Sequence, residues 1–172
     1  MKNQRMLDEL TELMRIDVSS GQETEIAEHL VKKLEQMGFA ITRDEAGATF
    51  GGVCGNILAV REGERDGVVC FCSHMDRVPG GIGIKPVEED GILRSSGDTI
   101  LAADDLSGVA AILEGVRQAI ESGKALPKLE ILFTVGEEAG LYGAKAFDVS
   151  LLTSKTMYVL DSPGRIGRIV NG

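Results

Sequence analysis

Residues 68–76 read VVCFCSHMD, a short apolar run that stops at a histidine and an aspartate two positions apart. A run of that length, preceded by the polar turn EGERDG at 62–67, has the pattern of a buried strand. Residues 129–138, LEILFTVGEE, repeat the pattern and end on a pair of glutamates. Between the two runs, Val109, Ile112, Leu113, Val116 and Ile120 recur at helical spacing, in a segment that opens after Asp104-Asp105 and closes at Gly123. Strand, helix and strand in that order lay two strands parallel with the helix crossing one face of the sheet.

Outward from this unit, Met6, Leu10, Leu13 and Met14 predict a first helix. Ser20-Gly-Gln-Glu23 then reads as a capping box for a second helix carrying Ile26, Leu30, Leu34 and Met37, with Gly38 as its stop. Further strands are predicted over 39–44, 56–61 and 157–161, a hairpin or extended loop over 84–98 around Glu89-Asp90-Gly91, and a short helix over 140–147. The chain shows no internal repeat, low-complexity tract or linker. The expected fold is α/β, a three-layer sandwich around a mainly parallel, mixed sheet.

Bulk properties narrow the functions. The 172 residues suffice for one domain or part of a larger one, and 43% hydrophobic with only 4% aromatic residues means a core of aliphatic side chains. A formal charge of −9 repels phosphate backbones and anionic headgroups, which argues against nucleic acid or a membrane surface as partner. The N-terminus has acidic residues among its apolar ones, which fits neither a signal peptide nor a membrane span, so a cytoplasmic location is expected. Cys54, Cys70 and Cys72 are too few and odd in number for a disulfide framework, so reduced thiols are expected, with Cys70 and Cys72 buried.

In parallel sheets ligands gather outside the carboxyl ends of the strands. His74 and Asp76 close one predicted strand, Glu137 and Glu138 a second and Asp161 a third, while Asp104-Asp105 opens a helix at the same edge. His74 can hold a metal through one ring nitrogen while Asp76 orients it or positions a bound water. One of the two glutamates can enter the metal shell while its neighbour moves protons. The plain alternatives are a solvated acidic turn at Glu137-Glu138, a helix cap at Asp104-Asp105 and a turn former at Asp161. A Cys70-x-Cys72-x-His74 thiolate site competes on paper, but a stiff strand suits closed zinc sites poorly.

Four stretches, HMD at 74–76, LAADDLSG at 101–108, TVGEEAGLYGAKAFD at 134–148 and LDSPGRIGRIVNG at 160–172, resemble in order the metal-site motifs of the M20-type zinc-dependent exopeptidases. The likeness is closest to the peptidase T, or tripeptidase, branch, on the strength of GAKAFD and ILAADD. The resemblance implies that His74 ligates one zinc, Asp104 bridges two, and Glu138 and Asp161 serve one each. It makes Asp76 the carboxylate supporting the His74 site and Glu137 the general base, with a cis peptide after Asp104. The implied activity is hydrolysis of short peptides by a hydroxide held between two Zn²⁺ ions, with Co²⁺ or Mn²⁺ as substitutes. An N-acyl amino acid amidohydrolase of the same fold is the nearest alternative, and a non-catalytic fragment or interaction module is the alternative for this chain alone.

The family needs one more histidine ligand. This chain holds only His29 and His74, and His29 is expected at the surface or core edge of a helix. Residues 1–172 are therefore expected to be the first segment of the catalytic domain, with the lid or dimerisation domain and the C-terminal catalytic segment absent and any homodimer forming through that lid.

Overall fold

The computed structural model describes residues 4–162 and 164. Helices α1 (Gln4–Met14) and α2 (Thr24–Gln36) are followed by strands β1 (Ala40–Arg43), β2 (Ile57–Arg61) and β3 (Val68–His74). A hairpin of β4 (Pro86–Glu89) and β5 (Ile92–Ser95) precedes α3 (Ala103–Glu121), β6 (Lys128–Thr134), the short α4 (Tyr142–Ala146) and β7 (Met157–Val159). Each of these matches an element legible in the sequence, although β7 stops two residues short of the predicted 161.

Five strands form one mixed sheet in the order β1-β2-β6-β3-β7. β1 and β2 run antiparallel to their neighbours, whereas β6, β3 and β7 are parallel. The two inner parallel strands, β3 and β6, carry the apolar runs VVCFCS and LEILFTV, and burial of both faces explains why they do not alternate. Ile131 and Phe133 face α3, with Leu106, Val109, Ile112, Leu113 and Val116 packing above them, and α1 and α2 complete that layer through Leu13, Met14, Ile26, Leu30 and Leu34. The opposite face carries Leu58, Cys72, Leu132 and Phe147, so the third layer is built from the α4 segment. Each fully buried Leu or Ile contributes about 1.5–3 kcal/mol by leaving water.

Two buried charged side chains fix the connections. Glu130, in the middle of β6, is fully buried and accepts the backbone N–H groups of Thr153 (2.8 Å) and Ser154 (3.1 Å), which anchors the loop leading into β7. Arg77 is buried just past β3 and donates to the carbonyls of Leu13, Met14 and Gly81. A cation at those carbonyls complements the C-terminal end of α1 and ties that helix to the segment after Asp76.

Register sets the working edge. His74 pairs with Thr134 across β3 and β6, and Cys72 pairs with Val159 across β3 and β7. Continuing the second register by two residues puts Asp161 level with His74. The carboxyl ends of all three parallel strands therefore finish at one height, and the acidic residues that follow them meet there.

Candidate active site

His74 is the centre of the cluster. It is 2% exposed, and its two ring nitrogens face different partners. Nδ1 lies 3.0 Å from the Asp76 carbonyl and 3.4 Å from Asp76 Oδ1, while Nε2 lies 3.2 Å from Asp104 Oδ1 and 3.9 Å from Glu137 Oε2. One ligand atom each from His74, Asp104 and Glu138 falls within 4.8 Å of the others. The Asp104 side chain is 73% exposed, so this trio opens to solvent.

Asp104 and its neighbour divide two tasks that the sequence left open. The peptide joining Asp104 and Asp105 is cis, as the resemblance implied. Asp104 faces His74, whereas Asp105 is buried, accepts the Ser73 hydroxyl through Oδ2 and caps the regular part of α3 by accepting the Gly108 N–H at 3.1 Å through Oδ1. A Cβ on Gly108 would lie 2.5 Å from those carboxylate oxygens, so only glycine permits this approach. Burial raises the Asp105 pKa to about 6 despite the Ser73 hydrogen bond.

Asp76 does more than face His74. Its Oδ1 accepts the Glu137 N–H at 2.9 Å and its Oδ2 accepts the Glu138 N–H at 3.2 Å, with the Ser20 hydroxyl donating to Oδ2 at 2.5 Å. Burial alone would raise its pKa, but His74, Ser20 and the Glu137 amide outweigh that and hold it below the usual carboxylate range. The carboxylate therefore supports both the histidine and the backbone of the acidic turn.

Glu137 and Glu138 lie in the turn that follows β6 rather than on the strand that the sequence predicted they would close, because Gly136 with its φ of +58° turns the chain just before them. Glu138 joins the His74–Asp104 group, and Glu137 stands beside it, 26% exposed, with its pKa raised by partial desolvation and by Asp161, Asp76 and Asp104 against the opposing pull of His74. The pKa of Glu138 is likewise raised, first by desolvation and then by Asp104. For His74, burial works to lower the pKa, yet Asp76, Asp104 and Glu137 push it up to about 9.

Asp161 sits at the rim. It shares a pocket of about 300 Å³ with His74 and Glu137, and a second of about 240 Å³ with Asp104 and Asp105, but it is not a member of the tight trio. Of the Ser-Pro-Gly turn and the rest of the motif that follow it, only Ser162 and Gly164 belong to the described residues.

The thiolate alternative finds no support. Cys70 and Cys72 are free and buried, with desolvation pushing both thiols up to about 12, and neither belongs to a metal-capable group among the described residues. The capping box is corrected. Glu23 makes no side-chain cap to α2; its Oε1 instead accepts the N–H groups of Gly21 and Gly136, while Ser20 turns to Asp76. Tertiary partners took both side chains because the 136–138 turn packs directly against this segment. Ser20, Glu23, Ser73 and Asp105 are thus site-supporting residues whose roles the sequence reading missed or left open.

His29 lies on α2, 3.8 Å from Glu12, and with Glu9 and Glu12 makes a second metal-capable group by distance. Lys33 already fills it, its Nζ at 2.7 Å from Glu9 and 2.8 Å from Glu12. No helix among the described residues is long and apolar enough to cross a membrane.

Comparison with known proteins gives the chain's family and its relatives of the same fold. YqjE of Bacillus subtilis (strain 168) is 38% identical over 171 residues, covering 99% of the chain and 46% of its own length. An aminopeptidase PepT structure from Bacillus cereus superposes with a TM-score of 0.92 at 40% identity, covering 96% of this chain and 45% of that one. A Staphylococcus aureus tripeptidase gives 0.90 at 34% identity, covering 94% and 44%. The chain thus spans about half the length of these relatives. The sequence profile of peptidase family M28 matches residues 56–167, from the start of β2 past the end of β7 and across every residue of the His74 cluster. That span is most of the chain, and on it the chain belongs to peptidase family M28.

Proposed function

We propose that the protein carrying this chain is a cytoplasmic, metal-dependent exopeptidase acting on short peptides, with a site laid out, its match to family M28 notwithstanding, like that of the M20-type, peptidase T-like enzymes its motifs resemble. Residues 1–172 supply the first part of its catalytic domain. The observation that carries this reading is the convergence of His74, Asp104 and Glu138 donors within 4.8 Å, with Glu137 beside them. The likeness to the PepT and tripeptidase structures adds the substrate class.

The donor set fits a divalent cation. One imidazole nitrogen and two carboxylates suit zinc, cobalt or manganese, and the exposed flank of Asp104 leaves that side open to an ion. His74, Asp104 and Glu138 would hold the metal, with Asp104 offering a second oxygen to a neighbouring ion and Asp161 at the rim serving it. When bound, such ions polarise a peptide carbonyl and acidify water. The chain's own residues do the rest. Asp76 fixes the His74 ring through Nδ1, leaving Nε2 for coordination. Glu137, partly desolvated and with a raised pKa, accepts a proton from the attacking water and returns it to the leaving amine. Asp76 also holds the backbone of Glu137 and Glu138, so the base and the ligand keep a fixed spacing.

The test is Glu137→Gln in the full-length protein, loaded with Zn²⁺, Co²⁺ or Mn²⁺ and assayed on a tripeptide and on an N-acyl amino acid. Turnover of the tripeptide should fall by about 10²–10⁴-fold with metal content unchanged. Loss of metal in that variant would make Glu137 a ligand. Wild-type activity on the N-acyl amino acid alone would overturn the peptide reading.

A further inference from the structure

Three consecutive backbone N–H groups of the acidic turn are gripped by two buried carboxylates. Gly136 donates to Glu23 Oε1 at 2.9 Å, Glu137 to Asp76 Oδ1 at 2.9 Å and Glu138 to Asp76 Oδ2 at 3.2 Å. Successive N–H groups converging on anions form a nest, and Gly136, with φ of +58°, supplies the left-handed residue such a turn requires. A Cβ there would also meet the Phe50 ring at 2.6 Å.

Asp76 has an evident reason to be present, since it also faces His74. Glu23 has none in the chemistry described so far. It is fully buried, its Oε1 is shared between Gly21 (2.9 Å) and Gly136, and its Oε2 is buried without a hydrogen-bond partner. A buried, half-satisfied carboxylate is costly to keep, and an apolar residue would pack there at less expense. Ser20, three residues earlier, reaches the same turn by a second route, through its hydroxyl on Asp76 Oδ2. The 20–23 segment therefore touches the turn twice, directly at Gly136 and through Asp76 at Glu137 and Glu138.

We propose that Ser20-Gly-Gln-Glu23 is a positioning strap for the Glu137–Glu138 turn, with Glu23 the residue that sets where the proton-transferring carboxylate and its ligand neighbour stand. This rests on the roles assigned above to Glu137 and Glu138. Displacement of a reacting group by about 1 Å costs about 10²-fold in rate, so a strap of this kind acts on kcat and leaves substrate affinity largely alone. A purely architectural hydrogen bond acts on the stability of the fold and leaves turnover per folded molecule intact.

The experiment compares Glu23→Ala, Glu23→Gln and Ser20→Ala with wild type in the full-length protein at equal metal loading. It reads kcat and KM on a tripeptide, thermal midpoint, metal affinity and hydrogen exchange of amides 136–138. Glutamine retains an oxygen that accepts both N–H groups, whereas alanine retains none. Glu23→Ala should lower kcat by about 10–100-fold with KM within about twofold, weaken metal binding and speed exchange at 136–138. Glu23→Gln should restore kcat to within about threefold of wild type and restore the slow exchange. Equal damage in both variants, or a wild-type kcat per folded molecule in Glu23→Ala, would overturn the strap. Should Glu23→Ala fail to fold, Ser20→Ala decides: a fall in kcat of about three- to tenfold at an unchanged thermal midpoint supports the strap, and an unchanged kcat refutes it. If wild type hydrolyses no peptide, the functional reading fails by itself, while exchange at 136–138 in the alanine and glutamine variants still shows whether Glu23 holds the turn.

Discussion

Two clusters in this chain each combine a histidine with glutamates or aspartates, and only one has the character of a site. At the carboxyl ends of β3 and β6, His74 is the one basic group that forms ion pairs with Asp76, Asp104 and Glu137 among the described residues. Between α1 and α2, by contrast, Glu9 and Glu12, the two carboxylates beside His29, meet Lys33 at 2.7 and 2.8 Å, and Arg117 adds a 2.9 Å contact to Glu9. The two histidines register the difference in opposite directions. Desolvation and then Lys33 push the His29 pKa down, whereas carboxylates overcome desolvation and push that of His74 up to about 9. A count of acidic residues does not separate these clusters; the lysine and arginine on Glu9 and Glu12 do, because their charge is permanent near neutrality, whereas an imidazole can give up its proton to an incoming metal.

The sharpest way to break the comparison is to remove one member from each side. Asp104→Ala should strip metal from the full-length protein and lower peptide hydrolysis on the order of a thousandfold or more, beyond the 10–100-fold typical of outer-shell changes. His29→Ala should leave metal content and turnover at wild-type levels, as read by elemental analysis and the same assay. Metal loss from the histidine variant would place the ion between the helices and reverse the account.

A smaller effect sharpens the other half. Glu114 extends the neutralised network through Arg5 (2.8 Å) and Arg117 (3.0 Å). Its hydrogen bond from Arg5 outweighs desolvation and, with Gln118 and Arg117, holds its pKa down to about 2, against an ordinary 4.5. A carboxylate depressed on folding adds stability at pH values above its unfolded pKa, and that contribution drains away as the pH falls from 4.5 toward about 2. Glu114→Gln should therefore be less stable than wild type near neutrality and lose less on acidification through that window. Parallel acid limbs in urea melts of the two proteins would show that the network contributes nothing measurable.

The parts of the fold that were legible in the sequence are those governed by local pattern. The apolar runs at 68–73 and 129–135, the α3 periodicity and the glycine stop at 38 each needed only nearby residues to be read. The placement of His74, Asp76, Glu137 and Glu138 at or just past the ends of those runs followed from the same pattern, and the register between β3, β6 and β7 brings the strand ends together. What was not legible depends on partners far along the chain. Glu23 meets Gly136 across 113 positions and Ser20 meets Asp76 across 56, so a Ser-x-x-Glu box that reads locally as a helix cap was claimed by the site instead. Glu130 hides a carboxylate inside an apolar strand because the loop before β7 supplies its donors. Arg77 is buried for a similar reason, since the carbonyls at the end of α1 come from more than 60 positions away, at separations of 63 and 64.

The central claim is that His74, Asp104 and Glu138 form a metal centre, and anomalous diffraction at the zinc edge from crystals grown with Zn²⁺ tests it directly. The account predicts an anomalous peak at about 2.0–2.2 Å from a His74 nitrogen and from oxygens of Asp104 and Glu138. A peak among Glu9, Glu12 and His29 with none beside His74, or no peak at either cluster, would contradict it.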